Sequence, residues 1–190
     1  MKFSFLFPLA FLPLVTLAAN QEDIEKLVAA QMKPTQHQVD LSNADLRKFS
    51  FANSKFNLQN ANLSHSNLSG MDLSKQNLSG ADLSYADLSK AQLTNANLSG
   101  THLDHANLAE AELSQSNLAA ATLTAADLTG ANLENANLSD ASLQCANLNQ
   151  ANLSRANFTR TNISGASLIN TMTADITGYH LVIDRQVNCA

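Results

Sequence analysis

The chain has 190 residues, a formal net charge of −5, 5% aromatic residues and no tryptophan. This length suits one domain. The mild negative charge gives no basic face for nucleic acid and argues against electrostatic binding to anionic lipid. Leu, Ala, Asn and Ser prevail over large aromatic residues, a bias that indicates a repeat protein.

The first 18 residues are typical of a secretory signal peptide. A positive charge at Lys2 precedes the apolar stretch 3–17, and small residues lead to a cleavage site near Ala18. A transmembrane anchor is disfavoured because a spanning helix needs about 20 apolar residues. We therefore expect a bacterial periplasmic or extracellular protein with no stable membrane insertion after cleavage.

Residues 19–40 are predicted to form a capping helix and a linker. Apolar residues fall on one face of the stretch from Asn20 to Met32, and Pro34 ends the helical pattern. A solenoid needs a cover over its exposed end, so we interpret this helix as a lid on the first coil. A partner-binding helix is the alternative.

A series with a period of five dominates the rest of the chain. It runs from Leu58 to Leu168 and has 23 members, all Leu except Phe158 and Ile163, and most units read Ala-(Asn/Asp)-Leu-(Ser/Thr)-X. Helices need a period of 3.6 and strands a period of 2. A period of five instead predicts a chain that turns a corner every five residues, with Ala and Leu pointing inward.

Four such sides would close a square coil of about 20 residues, stacked at the strand spacing of about 4.8 Å. Asn and Asp are expected to bond their own backbone in the turns, and stacked Asn side chains to form an amide ladder. The predicted core positions are Leu58, Leu63, Leu68, Leu83, Leu108, Leu128, Leu148, Phe158 and Leu168.

This pattern resembles the pentapeptide-repeat family, whose consensus is A(D/N)LXX, over residues 44–170. The resemblance implies an all-β fold, a right-handed quadrilateral β-helix. We place the β-helix at 41–170 and a C-terminal cap or tail at 171–190. Neither a cofactor nor a catalytic residue is expected, because the chain contains no phosphate-binding, GxSxG, HExxH or CxxC motif.

The register is irregular near the start of the repeat. Leu41, Leu46 and Phe51 keep the period of five, but the step from Phe51 to Leu58 is seven, so two residues are inserted. We interpret the segment from Phe49 to Leu58 as an irregular first coil widened by large side chains. A separate functional loop is the alternative.

The two cysteines, Cys145 and Cys189, permit one disulfide in an exported chain. Cys145 should point outward, and the tail is long enough to bring Cys189 beside it. Two free thiols, or a bridge between two molecules, are the competing interpretations.

Stacking at 20 residues would align His65, Tyr85, His105, Ala125 and Cys145 in one outward column. His102 and His105 are weak candidates for a metal site, because one close pair falls short of the three or four ligands that zinc needs. The alternative is that these outward positions simply accept any polar residue.

Three functions are compatible with these features. The first is a non-enzymatic exported scaffold or interaction module that binds another protein, with a homodimer through a solenoid end also possible. The second follows from the resemblance, since some family members are acidic DNA mimics that bind the topoisomerase gyrase. Here nine acidic and four basic residues in 56–170 give a weak charge beside that of DNA. The third is a metal-binding surface protein.

Overall fold

The computed structural model describes residues 39–48, 58–178 and residue 189. In these parts of the chain there is neither a helix nor a strand longer than one residue, and the sheet faces consist of single parallel β-bridges. The predicted signal peptide, the capping helix, the irregular segment 49–57 and the tail 179–188 lie outside the described residues.

The bridges link each coil to the next with a constant period. From Asn62 paired with Asp82 to Asn157 paired with Thr177, every bridge joins residues 20 positions apart. Twenty residues are four pentapeptides, so each coil has four sides. The β-helix predicted from the period of five is therefore present.

The first bridges show where the register changes. Asp40 pairs with Asn62, and Asp45 pairs with Asn67. These partners are 22 positions apart, two more than in every later coil. The two residues inserted before Leu58 therefore lengthen the first coil and leave the stacking of the later coils unchanged.

Every backbone N–H of a regular pentapeptide has a hydrogen-bond acceptor, as the unit 81–85 illustrates. Three N–H groups bond to adjacent coils, one closes a β-turn, and one bonds the side chain of the Asn or Asp position. The donors and acceptors are Ala81 to Leu78 O, Asp82 to Ala61 O, Leu83 to His102 O, Ser84 to Asp82 Oδ1 and Tyr85 to Asp104 O. The preference for Asn or Asp before Leu follows, because that side chain supplies the acceptor that the backbone lacks.

The second residue after each core position turns the corner with a positive φ. The angle is +59° at Tyr85, +55° at Ala125 and +68° at Gly80, all in the left-handed region. A hydrogen bond closes each turn, as between Ala86 N–H and Leu83 O at 3.0 Å. Because most of these residues are not glycine, the β-helix holds many side chains in a conformation that costs each of them about 1 kcal/mol or more.

The core is the double row of Leu and Ala positions. Of the nine predicted core residues, eight are no more than 3% exposed, and Leu108 is completely buried. Leu168 was predicted to belong to the core, but it is 39% exposed. It lies in the last part of the repeat, where its neighbours Ile169 and Met172 are also exposed.

The coil also continues beyond the predicted boundary at residue 170. Met172 bridges Asn152 and Thr177 bridges Asn157, although the repeat sequence is lost there. At Gly178 a Cβ atom would lie 2.2 Å from the backbone nitrogen of Thr159. Only glycine allows this close approach, so Gly178 lets the chain rest directly on the coil below.

Candidate interaction surface

One corner of the β-helix carries a column of stacked rings, which we call the ring column: His65, Tyr85, His105, Ala125 and Cys145. The rings of His65 and Tyr85 have centroids 4.9 Å apart and an angle of 4° between their planes. Tyr85 and His105 follow at 4.8 Å and 8°. The coil spacing sets these distances, because consecutive members occupy equivalent positions in consecutive coils.

The ring column is open to solvent. Tyr85 is 54% exposed, and His65, His105 and Ala125 are also exposed. Each side chain projects from a left-handed corner residue, so the rings extend away from the core. An exposed aromatic surface with polar ring edges suits a contact with another molecule.

A disulfide bridge joins Cys145 of the ring column to Cys189 near the C-terminus. The two Cα atoms are 5.5 Å apart, and the sequence separation is 44 residues. Cys189 also lies beside the carbonyl oxygen of Gly165, at 3.7 Å. The disulfide therefore ties the end of the chain to the side of the β-helix, and neither cysteine is a free thiol.

Beside the ring column, Asp104 accepts two hydrogen bonds from the next coil. The hydroxyl of Thr122 donates to Oδ2 at 2.6 Å, and the backbone N–H of Thr124 donates to Oδ1 at 2.9 Å. Burial alone would raise the pKa of Asp104, but these bonds and the nearby His102 together hold the pKa below its usual value. Asp104 is therefore a fixed acceptor that joins two coils.

The two weak metal candidates do not form a recognisable site. His102 Nδ1 lies 3.4 Å from Thr122 Oγ1, and the ring of His105 stacks on Tyr85. Among the described residues, no group of three or more His, Cys, Asp or Glu side chains could hold a metal ion. The separation of His65 and His105 by the ring of Tyr85 also prevents these two imidazoles from sharing an ion.

A second surface of different character covers another side, which we call the amide face: Asn77, Asn97, Asn117, Asn137 and Asn157. The four amides from Asn97 to Asn157 each donate to the carbonyl oxygen of the Asn one coil earlier, at 3.1 to 3.3 Å. This is the amide ladder expected from the sequence. Because the ladder uses the Asn side chains on each other and on the turns, it is a structural element more than a free binding surface.

Three ion pairs link charged residues of neighbouring coils along the axis. Lys90 lies 3.7 Å from Glu110, and Arg160 Nε lies 2.5 Å from Asp140 Oδ1. The hydrogen bond from Arg160 holds the pKa of Asp140 below its usual value. Arg155 pairs with Glu134 in the same way. Such pairs shorten the uninterrupted negative stretches that a mimic of the DNA backbone would need.

The order of the ring column followed from the 20-residue period, but the stacking of its rings and the role of the neighbouring Asp104 did not. The parallel stacking of the rings depends on side-chain rotation, which no periodicity reports. The acceptor role of Asp104 depends on the lack of an Asn or Asp at position 122, and that substitution is the sequence signal that could have revealed it.

Within the described residues, no helix has the length and apolar character that crossing a membrane requires.

Comparison with known proteins identifies the repeat. The family model described as "Pentapeptide repeats" matches eight copies, over residues 57–95, 86–124, 116–155 and 136–171. No curated protein matches the chain significantly.

Solved structures of similar proteins come from several sources. Rfr23 from the cyanobacterium Cyanothece 51142 is 32% identical, with 62% of this chain and 88% of that chain covered and a TM-score of 0.36. A protein of the Arabidopsis thaliana thylakoid lumen is 27% identical, with 60% and 79% covered and a TM-score of 0.44.

A trypsin-treated variant of QnrB1, a plasmid-mediated fluoroquinolone resistance protein, is 20% identical, with 78% of both chains covered and a TM-score of 0.42. The family model alone spans more than half of the chain. The chain therefore belongs to the pentapeptide repeat family, whose members fold as right-handed β-helices.

Proposed function

We propose that this protein is a non-enzymatic interaction scaffold that acts outside the cytoplasm and binds another protein through the ring column. The observation that carries the proposal is the exposed stack of His65, Tyr85 and His105 on the side of the β-helix. Aromatic side chains are enriched at the centres of protein interfaces. Stacking here restrains the rings before any partner binds, which lowers the entropic cost of the contact.

A catalytic role finds little support in the same surface. The hydroxyl of Thr122 donates to Asp104, and the other oxygen of this carboxylate accepts the backbone N–H of Thr124, so these groups join two coils. Family members are generally structural or interaction proteins. A scaffold function needs only the rigid coils and the side chains that they present.

Action outside the cytoplasm rests on two observations. The first 18 residues have the pattern of a signal peptide, and the chain pairs Cys145 with Cys189. Disulfides persist in oxidising compartments such as the bacterial periplasm and are rare in the cytosol. A periplasmic or extracellular location also separates the protein from gyrase.

The end of the β-helix offers a second contact of a different kind. Leu168, Ile169 and Met172 are 39%, 64% and 55% exposed. A homodimer through this end would cover them, and it remains a prediction that sedimentation of the purified protein can check.

The proposal is tested by photo-crosslinking in intact cells, with a benzophenone amino acid placed at position 85. The matched control carries the same residue at Ala120, which has the same corner conformation (φ of +56°) on another edge. A specific adduct from position 85 and none from position 120 is the expected result. Adducts from neither position, in a variant that folds normally, would overturn the proposal.

Export is tested separately by fractionation and intact mass. We expect a protein that lacks residues 1–18 in the periplasmic or extracellular fraction, with a mass about 2 Da below that of the reduced form. A full-length protein in the cytoplasm would contradict the export proposal and would make a DNA-mimic function worth testing in a gyrase supercoiling assay.

A further inference from the structure

The ring column has one level without a ring. His65, Tyr85 and His105 fill three consecutive levels, and the disulfide of Cys145 with Cys189 occupies the fifth. Between them stands Ala125, whose side chain is a single methyl group. The column therefore contains a notch whose floor is the ring face of His105 and whose roof is the disulfide.

The size of the notch follows from the spacing of the coils. The backbone N–H of His105 bonds to Thr124 O and that of Ala125 to Gln144 O, both at 2.9 Å, so the coils remain in register across the notch. The levels of His105 and Cys145 are thus two coil spacings apart, about 9.6 Å. A ring halfway between them would lie about 4.8 Å from each level.

Both of these distances are favourable for an aromatic ring. Centroid separations of about 4.5–7 Å are usual for stacked aromatic pairs, and the stacks below the notch have 4.9 and 4.8 Å. A sulfur atom about 5 Å from a ring makes a favourable contact. One ring can therefore stack on His105 and contact the sulfur of the disulfide at the same time.

The notch opens to solvent and can be reached from outside. Ala125 is exposed, and its φ of +55° is close to the +59° of Tyr85. Its methyl group therefore points along the direction that the ring of Tyr85 takes two coils earlier. An incoming ring would continue the existing stack without any change in the backbone.

We propose that the notch at Ala125 receives an aromatic side chain from the protein partner, which becomes the fourth ring of the column. This inference rests on the proposed interaction function and names the chemistry of the partner. A single stacking contact at an exposed level binds a free small molecule only weakly, so that binding is detected at high concentrations of the molecule. The ring therefore arrives as one anchor of a larger protein interface.

The experiment is an NMR titration of the full, oxidised protein with N-acetyl-tryptophanamide, a probe for a partner's aromatic side chain. We expect saturable ring-current shifts at the Ala125 methyl group and the His105 ring. N-acetyl-leucinamide, which is apolar but not planar, should cause no such shifts. Equal shifts with both probes, or shifts spread over the whole surface, would overturn the proposal.

Variants locate the binding. Ala125→Tyr fills the notch and should abolish the saturable shifts, whereas Ala120→Tyr, at a matched corner on another edge, should leave them unchanged. His105→Ala removes the floor and should weaken binding of the probe by about 2- to 10-fold. Circular dichroism checks that each variant folds, and Tyr is already accommodated in the same conformation at position 85.

The two proposals fail in different ways. Local shifts at Ala125 without any partner crosslinked from position 85 would overturn the interaction function and leave the notch as a ring-binding site. A partner crosslinked from position 85, combined with no shifts at Ala125, would overturn the notch alone.

Discussion

The backbone N–H of Thr124 donates to the carboxylate of Asp104, 20 residues earlier, at 2.9 Å. In regular units this N–H bonds the Asn or Asp two residues before it, as Ser84 N–H bonds Asp82. Position 122 is a threonine, so the acceptor comes from the coil below. Asn149 serves Ile169 in the same way at 2.7 Å, because Ser167 replaces the usual Asn. At these two positions an acceptor lost from one coil is replaced from its neighbour.

The variant Asp104→Asn tests whether the Asp104 carboxylate supplies the acceptor that position 122 lacks. The single carbonyl oxygen of Asn cannot accept both donors in the same geometry, so Asp104→Asn should lower the free energy of unfolding at pH 7 by about 1–2 kcal/mol. Urea denaturation of the two proteins measures the difference. Equal stability would contradict the acceptor role of the carboxylate.

The stability difference should also depend on pH. The folded-state pKa of Asp104 is lowered, so the contribution of its carboxylate is complete above the unfolded-state pKa of about 3.9. It is lost as the pH falls through the lower folded-state pKa. The wild type and Asp104→Asn should therefore converge in stability in strong acid. Glu110→Gln is a control, because its exposed pair with Lys90 should contribute about 0–1 kcal/mol.

The amide face should depend on its central member. Asn117 donates to Asn97 at 3.3 Å and accepts from Asn137 at 3.1 Å and from Ala119 N–H at 3.2 Å. Asn117→Ala loses all three bonds and should lower the free energy of unfolding by about 2–3 kcal/mol. Asn117→Asp keeps the acceptor and should cost less.

Thermal and urea unfolding rank these variants. Gln115→Ala, a change at an exposed corner where the chain uses Ala at positions 120 and 125, should stay within about 0.5 kcal/mol of the wild type. If Asn117→Ala resembled Gln115→Ala, the ladder would have no role in stability.

The left-handed corners predict a stabilising substitution. Ala120 has a φ of +56°, which costs an alanine about 1–2 kcal/mol and glycine almost nothing. Ala120→Gly should therefore raise the free energy of unfolding by about 0.5–1 kcal/mol after the extra entropy of the unfolded chain is deducted. Ala119→Gly, one residue earlier and without a positive φ, should lower it by a similar amount. Equal signs for the two variants would refute the argument.

Most of the fold could be predicted from the sequence because the repeat has one invariant feature, its period. The inward position of Leu108, the register change before Leu58 and the alignment of His65 with Tyr85 all follow from counting residues. Each depends only on the backbone path, which the repeat imposes on every unit alike.

The remaining features depend on what a particular side chain meets in the next coil. The role of Asp104 required knowledge of which donors lack a partner, and the stack on Tyr85 required the side-chain rotation. The exposure of Leu168 and the continuation of the coil to Thr177 lie at the end of the repeat. There no equivalent unit stacks on the last coil, so the repeat pattern no longer predicts which side chains are buried.

Two Leu→Ala substitutions, one in the middle of the β-helix and one near its C-terminal end, test the link between coil stacking and burial. Leu108 is completely buried between coils, whereas Leu168 is 39% exposed. Leu108→Ala should lower the free energy of unfolding by about 2–5 kcal/mol, because it removes apolar contacts and leaves a cavity. Leu168→Ala should lower it by less than about 1 kcal/mol, since the lost side chain is partly hydrated already. Urea denaturation of both variants at one pH gives the comparison, and a similar loss for both would mean that Leu168 is covered in solution, as an end-to-end dimer would require.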